Sequence, residues 1–199
     1  MLWDNRLQND IGNTCLASVD GADFRMLGEK LMNGKPDPRC CSCKLKAPGL
    51  RCLIALSVRT SGIVFLAGPF LPGVLNDLSI FRESGIKDMM EQYEKVEADD
   101  GCMGECPGCC MCPGWFDANE DQAKLRGRVR MRHEIVNKRM KNFGCLLSRF
   151  RHDATKHSAC FRAVAVLTQL SMESGEPLID VREYDDRLTD AQILQIFGV

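Results

Sequence analysis

No stretch of this chain stays apolar for the ~20 residues that crossing a bilayer requires, and its opening, "MLWDNRLQND", lacks the apolar centre of a secretory leader. Neither a membrane span nor a signal peptide is therefore expected, and an intracellular protein is. No segment repeats itself, so a repeat architecture is not expected either. Net charge is nearly absent, at −1 from 26 Lys and Arg against 27 Asp and Glu. What remains is ordinary for a soluble globular chain: 45% hydrophobic and 27% charged residues over 199 positions, enough for one domain with a real core.

Two features depart from this plain background. The chain carries 12 cysteines, which in a reducing compartment are thiols or metal ligands, not a disulfide framework. The near-zero total also hides an asymmetry. Between Lys124 and Arg151 stand ten basic residues and one acid, Glu134, so this segment is +9 and the remainder −10. Such a block points to a partner with a phosphate backbone, unless it is a solvated helix face.

Turn signals and hydrophobic periods give the order of elements. Strands are expected at 15–26, 49–60 and 63–68, the last two joined by a Ser61-Gly62 turn and hence antiparallel. The run "LAGPFLPGVLNDLSIFRES" breaks at Gly68-Pro69 and at Pro72-Gly73, and Asp77 then opens a helix over about 78–93, with Leu78, Phe81, Met89 and Met90 on its buried side. A fourth short strand is expected at 95–101, then a Cys-rich loop or insertion at 102–122. A long helix follows, with an apolar stripe of Leu125, Val129, Val136, Met140, Phe143 and Leu147 interrupted at Arg132. A second helix is expected over 154–174, buried through Phe161, Val164, Leu167 and Leu170, and a short one at 189–196. The order β-β-β-α-β-α-α implies an α/β domain with a mixed sheet: three antiparallel strands, helix and strand crossovers, and C-terminal helices. That domain spans 1–187, with a tail at 188–199.

Acids fall at the seams of these elements. Asp20 ends the first strand, Asp77 follows the third, Asp99 and Asp100 end the fourth, and Glu134 lies on the long helix, off its apolar stripe. Each has a plain structural reading: a turn at Asp20-Gly21 or Asp100-Gly101, a helix cap at Asp77, and i,i+4 pairs of Glu134 with Arg130 and Lys138. Together they offer another. Phosphodiester cleavage needs an activated water and charge neutralisation, which two divalent ions ~3.5–4 Å apart supply, held by a few carboxylates. Spacing alone does not choose between the two.

The stretches "SVDGADFRM" (18–26), "GPFLPGVLNDLSIFRESG" (68–85), "EADDG" (97–101), "RVRMRHEIVNKRMKNFGCL" (128–146) and "FRAVAVLTQLSMESGEPLIDVREYDD" (161–186) together resemble the DDE-type endonuclease domain of Harbinger-like transposases, in that family's order. The resemblance implies an RNase H-like fold and a metal-dependent DNA endonuclease. It implies Asp20, Asp77 and Glu134 as catalytic metal ligands, with Asp100, favoured over Asp99, as an auxiliary acid. Asp20 would bridge two Mg²⁺ or Mn²⁺ ions, and Asp77 and Glu134 would each complete one. Arg128, Arg130, Arg132, Lys138, Arg139 and Lys141 are the expected DNA-backbone contacts. The chain departs from the family in "CCSC" (40–43) and at Cys102, where an aromatic or His is common. It begins just upstream of the first strand, so target choice is expected either to be lost or to come from a separate DNA-recognition protein. A DNA substrate would place the protein in the nucleus.

Cys106, Cys109 and Cys112 stand at i, i+3 and i+6, with Cys102 and Cys110 beside them. Overlapping C-x-x-C units can hold Zn²⁺, with Cys40 and Cys43 as a remote pair, although the spacing is not that of a zinc ribbon. His152, His157 and Cys160 also offer ligating atoms, against a plain reading as surface and core positions. Three functions follow: a metal-dependent nuclease, a catalytically silent DNA- or protein-binding module of the same ancestry, and a zinc-stabilised interaction module.

Overall fold

A computed structural model describes residues 3–8, 12–28, 30–60, 62–113, 120–181, 183, 184 and 186. Its six strands, numbered in chain order, are β1 (Cys15–Arg25), β2 (Cys41–Ser42), β3 (Ala47–Ser57), β4 (Ile63–Phe70), β5 (Lys95–Glu97) and β6 (Cys110–Met111). β1 is central, antiparallel to β3 on one side and parallel to β5 on the other. β4 and the short β2 both pair antiparallel with β3, and β6 extends the sheet in parallel beyond β5. The helices are α1 (Asp77–Glu83), α2 (Glu120–Lys141), α3 (Gly144–Leu147) and α4 (Ala154–Glu173). This is an α/β domain with a mixed sheet.

The central strands read as near-continuous apolar runs because both faces of the sheet are covered. On one face Ala17, Val19, Leu53 and Ala55 pack with Ile80 and Phe81 of α1. On the other, Ala22, Phe24, Ile54 and Leu56 pack with Val136 and Met140 of α2 and Phe161 and Val164 of α4. The alternation of side chains along a strand assigns successive residues to the two layers.

Several boundaries differ from the expected ones. The helix expected over 78–93 stops at Glu83, because Gly85 takes a left-handed φ of 79°, a conformation that ends helices. Only the 3-10 turn Lys87–Met89 follows, and Met89 is exposed. β4 runs through Gly68-Pro69 to Phe70; proline is tolerated there because β4 pairs on one side only. The Pro72-Gly73 break is real, since a Cβ on Gly73 would lie 2.1 Å from the Pro38 carbonyl oxygen. Of the loop expected at 102–122, a 3-10 helix, Asp100–Glu105, and β6 occupy parts, α2 begins at Glu120, and 114–119 lie outside the described residues. On α2, Arg132 joins the buried stripe, and beyond it Leu146 is buried where Leu147 is exposed. On α4 the buried face is Phe161, Val164, Ala165, Thr168 and Met172, leaving Leu167 and Leu170 exposed. Past α4, Asp186 accepts hydrogen bonds from the Thr14 and Cys15 amides, tying that segment to the start of β1. The short helix expected at 189–196 and the tail at 188–199 lie outside the described residues.

Candidate active site

β1 is buried along its length except at Asp20, Gly21 and its last residue. Asp20 does not end the strand in a turn; it sits inside it, opposite Ile54 of β3. Ser18 pairs with Glu97 in the parallel β1–β5 ladder. Two residues on along each chain, Asp20 and Asp99 therefore emerge level with one another. Asp99, not the favoured Asp100, is the inward acid. Its carboxylate caps the 3-10 helix by accepting from the Gly101 amide at 3.0 Å, whereas Asp100 is exposed. The expected cap at Asp77 is corrected too: Asn76 caps α1 through the Ser79 amide, which leaves the Asp77 carboxylate free to face the sheet. Two glycines make room for it. A Cβ on Gly21 would lie 3.0 Å from Asp77 Oδ1, and one on Gly101 would lie 2.9 Å from Asp99 Oδ1 and 3.1 Å from Asp77 Oδ2. Asp77 and Asp99 thus both lie against Gly101, and Asp77 also against Gly21.

Cations and hydrogen-bond donors surround these acids. Arg51 of β3 donates from Nη1 to Asp77 Oδ1 at 2.7 Å. Its other nitrogens grip Asp23 at 2.5 and 2.9 Å, and the Ser42 hydroxyl also donates to Asp23. Burial alone would raise the Asp23 carboxyl, but these hydrogen bonds outweigh it and hold Asp23 below its ordinary value. Lys44 Nζ donates to the Gly21 carbonyl at 3.4 Å and stands 4.0 Å from Asp77 Oδ2. Asn137 of α2 donates to Asp20 Oδ2 at 3.1 Å. Burial nonetheless raises Asp20, against the opposing influence of Lys44 and Asn137, and repulsion from Asp77 adds to it. Asp99 is raised by burial, then by repulsion from Asp77 and Asp20. Asp20 and Asp99 both feel the Asp77 charge, and a further positive charge nearby would relieve that repulsion.

Glu134 is not part of this cluster. It is exposed on α2, three residues before Asn137, which places it one helical turn from a side chain that already touches Asp20. Its neighbour His133 packs inward, with Nε2 2.9 Å from the Ser18 hydroxyl, and burial holds it down to about 3, so it stays neutral. Among the described residues no three His, Cys, Asp or Glu side chains form a ready metal centre. The donor chemistry of Asp20, Asp77 and Asp99 nevertheless fits a hard cation, because carboxylate oxygens are what Mg²⁺ and Mn²⁺ prefer, and Gly21 and Gly101, lacking side chains, let the Asp77 and Asp99 carboxylates come close to the backbone.

The basic residues divide. Arg132 is fully buried and donates to the Ser57 and Val58 carbonyls at 2.8 Å each; burial lowers it to about 10. It ties α2 to the end of β3 and is withdrawn from the DNA contacts. Arg128 and Lys138 are exposed. Arg130 approaches Glu97 at 4.0 Å, Arg139 donates to the Glu176 carbonyl at 2.5 Å, and the Lys141 ammonium lies 5.5 Å from the Phe24 ring centre.

The cysteines line the other side of the acid cluster. Cys102, Cys110 and Cys112 are buried with Ile80 and Phe81, and Cys106 and Cys109 pack against them. Cys112 Sγ donates to the Asp99 carbonyl, and Cys109 Sγ to Glu105 Oε2, each at 3.1 Å. Burial pushes Cys109 up to about 11 and Cys112 further; Cys110 is raised by its hydrogen bond with Cys102 and then by burial. They are neutral thiols here. Cys40 belongs to a separate cluster with Met26, Leu50 and Phe150, and Cys43 is exposed. His157 is fully buried beside Phe24 and Phe150, a core position. Sequence reasoning missed Asp23, Arg51, Lys44 and Asn137. A signal existed for Arg51, the one charge inside the apolar run "GLRCLIALS". No protein-family model matches this chain, and neither do any curated proteins or solved structures.

Proposed function

We propose that this chain is the metal-dependent catalytic domain of a Harbinger-like, DDE-type DNA endonuclease with an RNase H-like fold. The observation that carries the proposal is the approach of Asp20, Asp77 and Asp99, which stand 57 and 22 residues apart in sequence: Asp77 and Asp99 both lie against Gly101, and Asp20 and Asp99 each feel the Asp77 charge. The sheet order supports the fold assignment. Three antiparallel strands lead, the crossovers then return strands parallel to the first, and helices follow.

Bound divalent cations, Mg²⁺ or Mn²⁺, would supply an activated water and neutralise charge at the attacked phosphate. The chain's own residues do the rest. Asp20, inside β1, and Asp99, just beyond β5, would hold the cations. Asn137 fixes the orientation of Asp20, and Arg51 fixes that of Asp77, whose Oδ2 stays open to the cluster. Glu134 completes the site from α2, by a side-chain rotation across the one turn that separates it from Asn137. Arg128 and Lys138, with Arg130, Arg139 and Lys141 beside them, draw the DNA backbone towards the site.

A second reading, a silent binding module, is favoured by one observation: Asp77 is already paired with a buried cation, Arg51. Nicking of supercoiled plasmid by purified protein separates the two. The nuclease reading expects cutting that requires Mg²⁺ or Mn²⁺, is abolished in Asp20→Asn and Asp99→Asn, and drops at least about tenfold in Asp77→Asn, a loss of ~1.4 kcal/mol in barrier lowering. DNA binding without cutting under either metal would establish the silent module, and equal cutting by every variant would expose a contaminating nuclease.

A further inference from the structure

Two cations stand at the acid cluster, and they are held very differently. Arg51 is buried to 6% exposure and makes three hydrogen bonds to Asp23 and Asp77; it is part of the framework. Lys44 comes from the turn between β2 and β3, and its side chain is 48% exposed. Its one hydrogen bond among the described residues is a long one, to the Gly21 carbonyl, and at 4.0 Å it lies outside hydrogen-bonding range of Asp77. Its ammonium stands beside Asp77 of α1, and its charge also acts on Asp20 and Asp23 of β1 and on Asp99 beyond β5. A mobile monovalent cation therefore occupies the neighbourhood that a divalent one would need.

We propose that Lys44 is an exchangeable internal counter-cation: its ammonium neutralises the Asp20–Asp77–Asp99 cluster in the metal-free protein and is expelled when a divalent cation enters. The inference rests on the metal-dependent reading above and adds to it a built-in competitor that sets the metal threshold. The long side chain and exposed turn let the ammonium swing out into water at little cost. The site thereby keeps a second positive charge beside its carboxylates, in addition to Arg51, when metal is scarce, at the expense of weaker metal affinity.

The test is Mn²⁺ binding to the whole chain, followed by isothermal titration calorimetry and by loss of the free-ion electron paramagnetic resonance signal. Lys44→Met should bind Mn²⁺ roughly two- to fivefold more tightly than wild type, the size expected of one half-exposed charge contact, while Lys44→Arg, which keeps the charge, stays near wild type. Equal affinity in Lys44→Met and wild type overturns the proposal and leaves the nuclease reading standing. Weaker binding in Lys44→Met also overturns it, because Lys44 would then support the metal site. If none of the three proteins binds Mn²⁺, the metal-dependent reading fails and this inference falls with it.

Discussion

Arg132 and Arg128 are four residues apart on one helix and do opposite things. Arg132 satisfies two carbonyls at the end of β3 from a position with no exposure, whereas Arg128 faces water. Removing the buried guanidinium strands those acceptors and leaves a cavity. Arg132→Met should thus lower unfolding free energy by about 2–4 kcal/mol, measured by urea denaturation. Arg128→Ala should change stability by less than ~0.5 kcal/mol and weaken DNA binding instead. If Arg132→Met folded with unaltered stability, its assignment to the framework would be wrong. Sequence spacing could not separate these two arginines, because a charge in a helical stripe looks like an interruption until the carbonyls it serves are known. Asp20 and Asp99 were easier to find as acids than to place. An Asp-Gly pair signals a turn or a strand with a close neighbour, and only the register of β1 against β5 decides for the second.

At the scale of elements, Glu105 fastens the Cys-rich segment to the region of α1. Lys87 and Arg82 donate to its two oxygens at 2.8 and 2.6 Å, and the Cys109 thiol adds a third contact. These hydrogen bonds, Lys87 first, pull Glu105 down from 4.5 to about 2. A carboxylate depressed on folding stabilises above its unfolded value and loses that contribution as pH falls through its folded one. Wild type should therefore exceed Glu105→Gln in unfolding free energy, measured by urea denaturation at pH 7, by the ~0.5–1 kcal/mol typical of partly exposed pairs. The difference should shrink below pH 4.5 and vanish near pH 2; a difference independent of pH would contradict the pairing. The major elements here were legible from their periods: β1, β3, β4, α2 and α4 all form close to where the apolar pattern puts them. What was not legible depended on tertiary contact. The two-residue strands β2 and β6 exist only through their partners. Asn76 rather than Asp77 caps α1, and local chemistry permits either. The buried face of α4 is set by the sheet it lies on, so Leu167 and Leu170 face outward despite their side chains.

For the whole molecule, a net charge of −1 conceals a +9 segment carried mainly on α2. With Arg132 withdrawn, five of the six expected basic contacts remain. DNA affinity should then fall with salt, with a slope of log K against log salt no steeper than about −4.5, from ~0.9 per neutralised phosphate. Fluorescence anisotropy with a duplex probe measures it, and a slope near zero would remove the phosphate-backbone partner altogether. The central claim is narrower: remote acids brought together by the β1–β5 register and by α1 form a seat for a hard divalent cation. Anomalous scattering from a crystal of the protein soaked in Mn²⁺ tests it most directly. The account expects a Mn²⁺ peak within coordination distance of Asp20 and Asp99, with Asp77 and Glu134 turned towards it and Lys44 moved away. A fully loaded crystal with Mn²⁺ bound only elsewhere, and Lys44 still among the three aspartates, would contradict it.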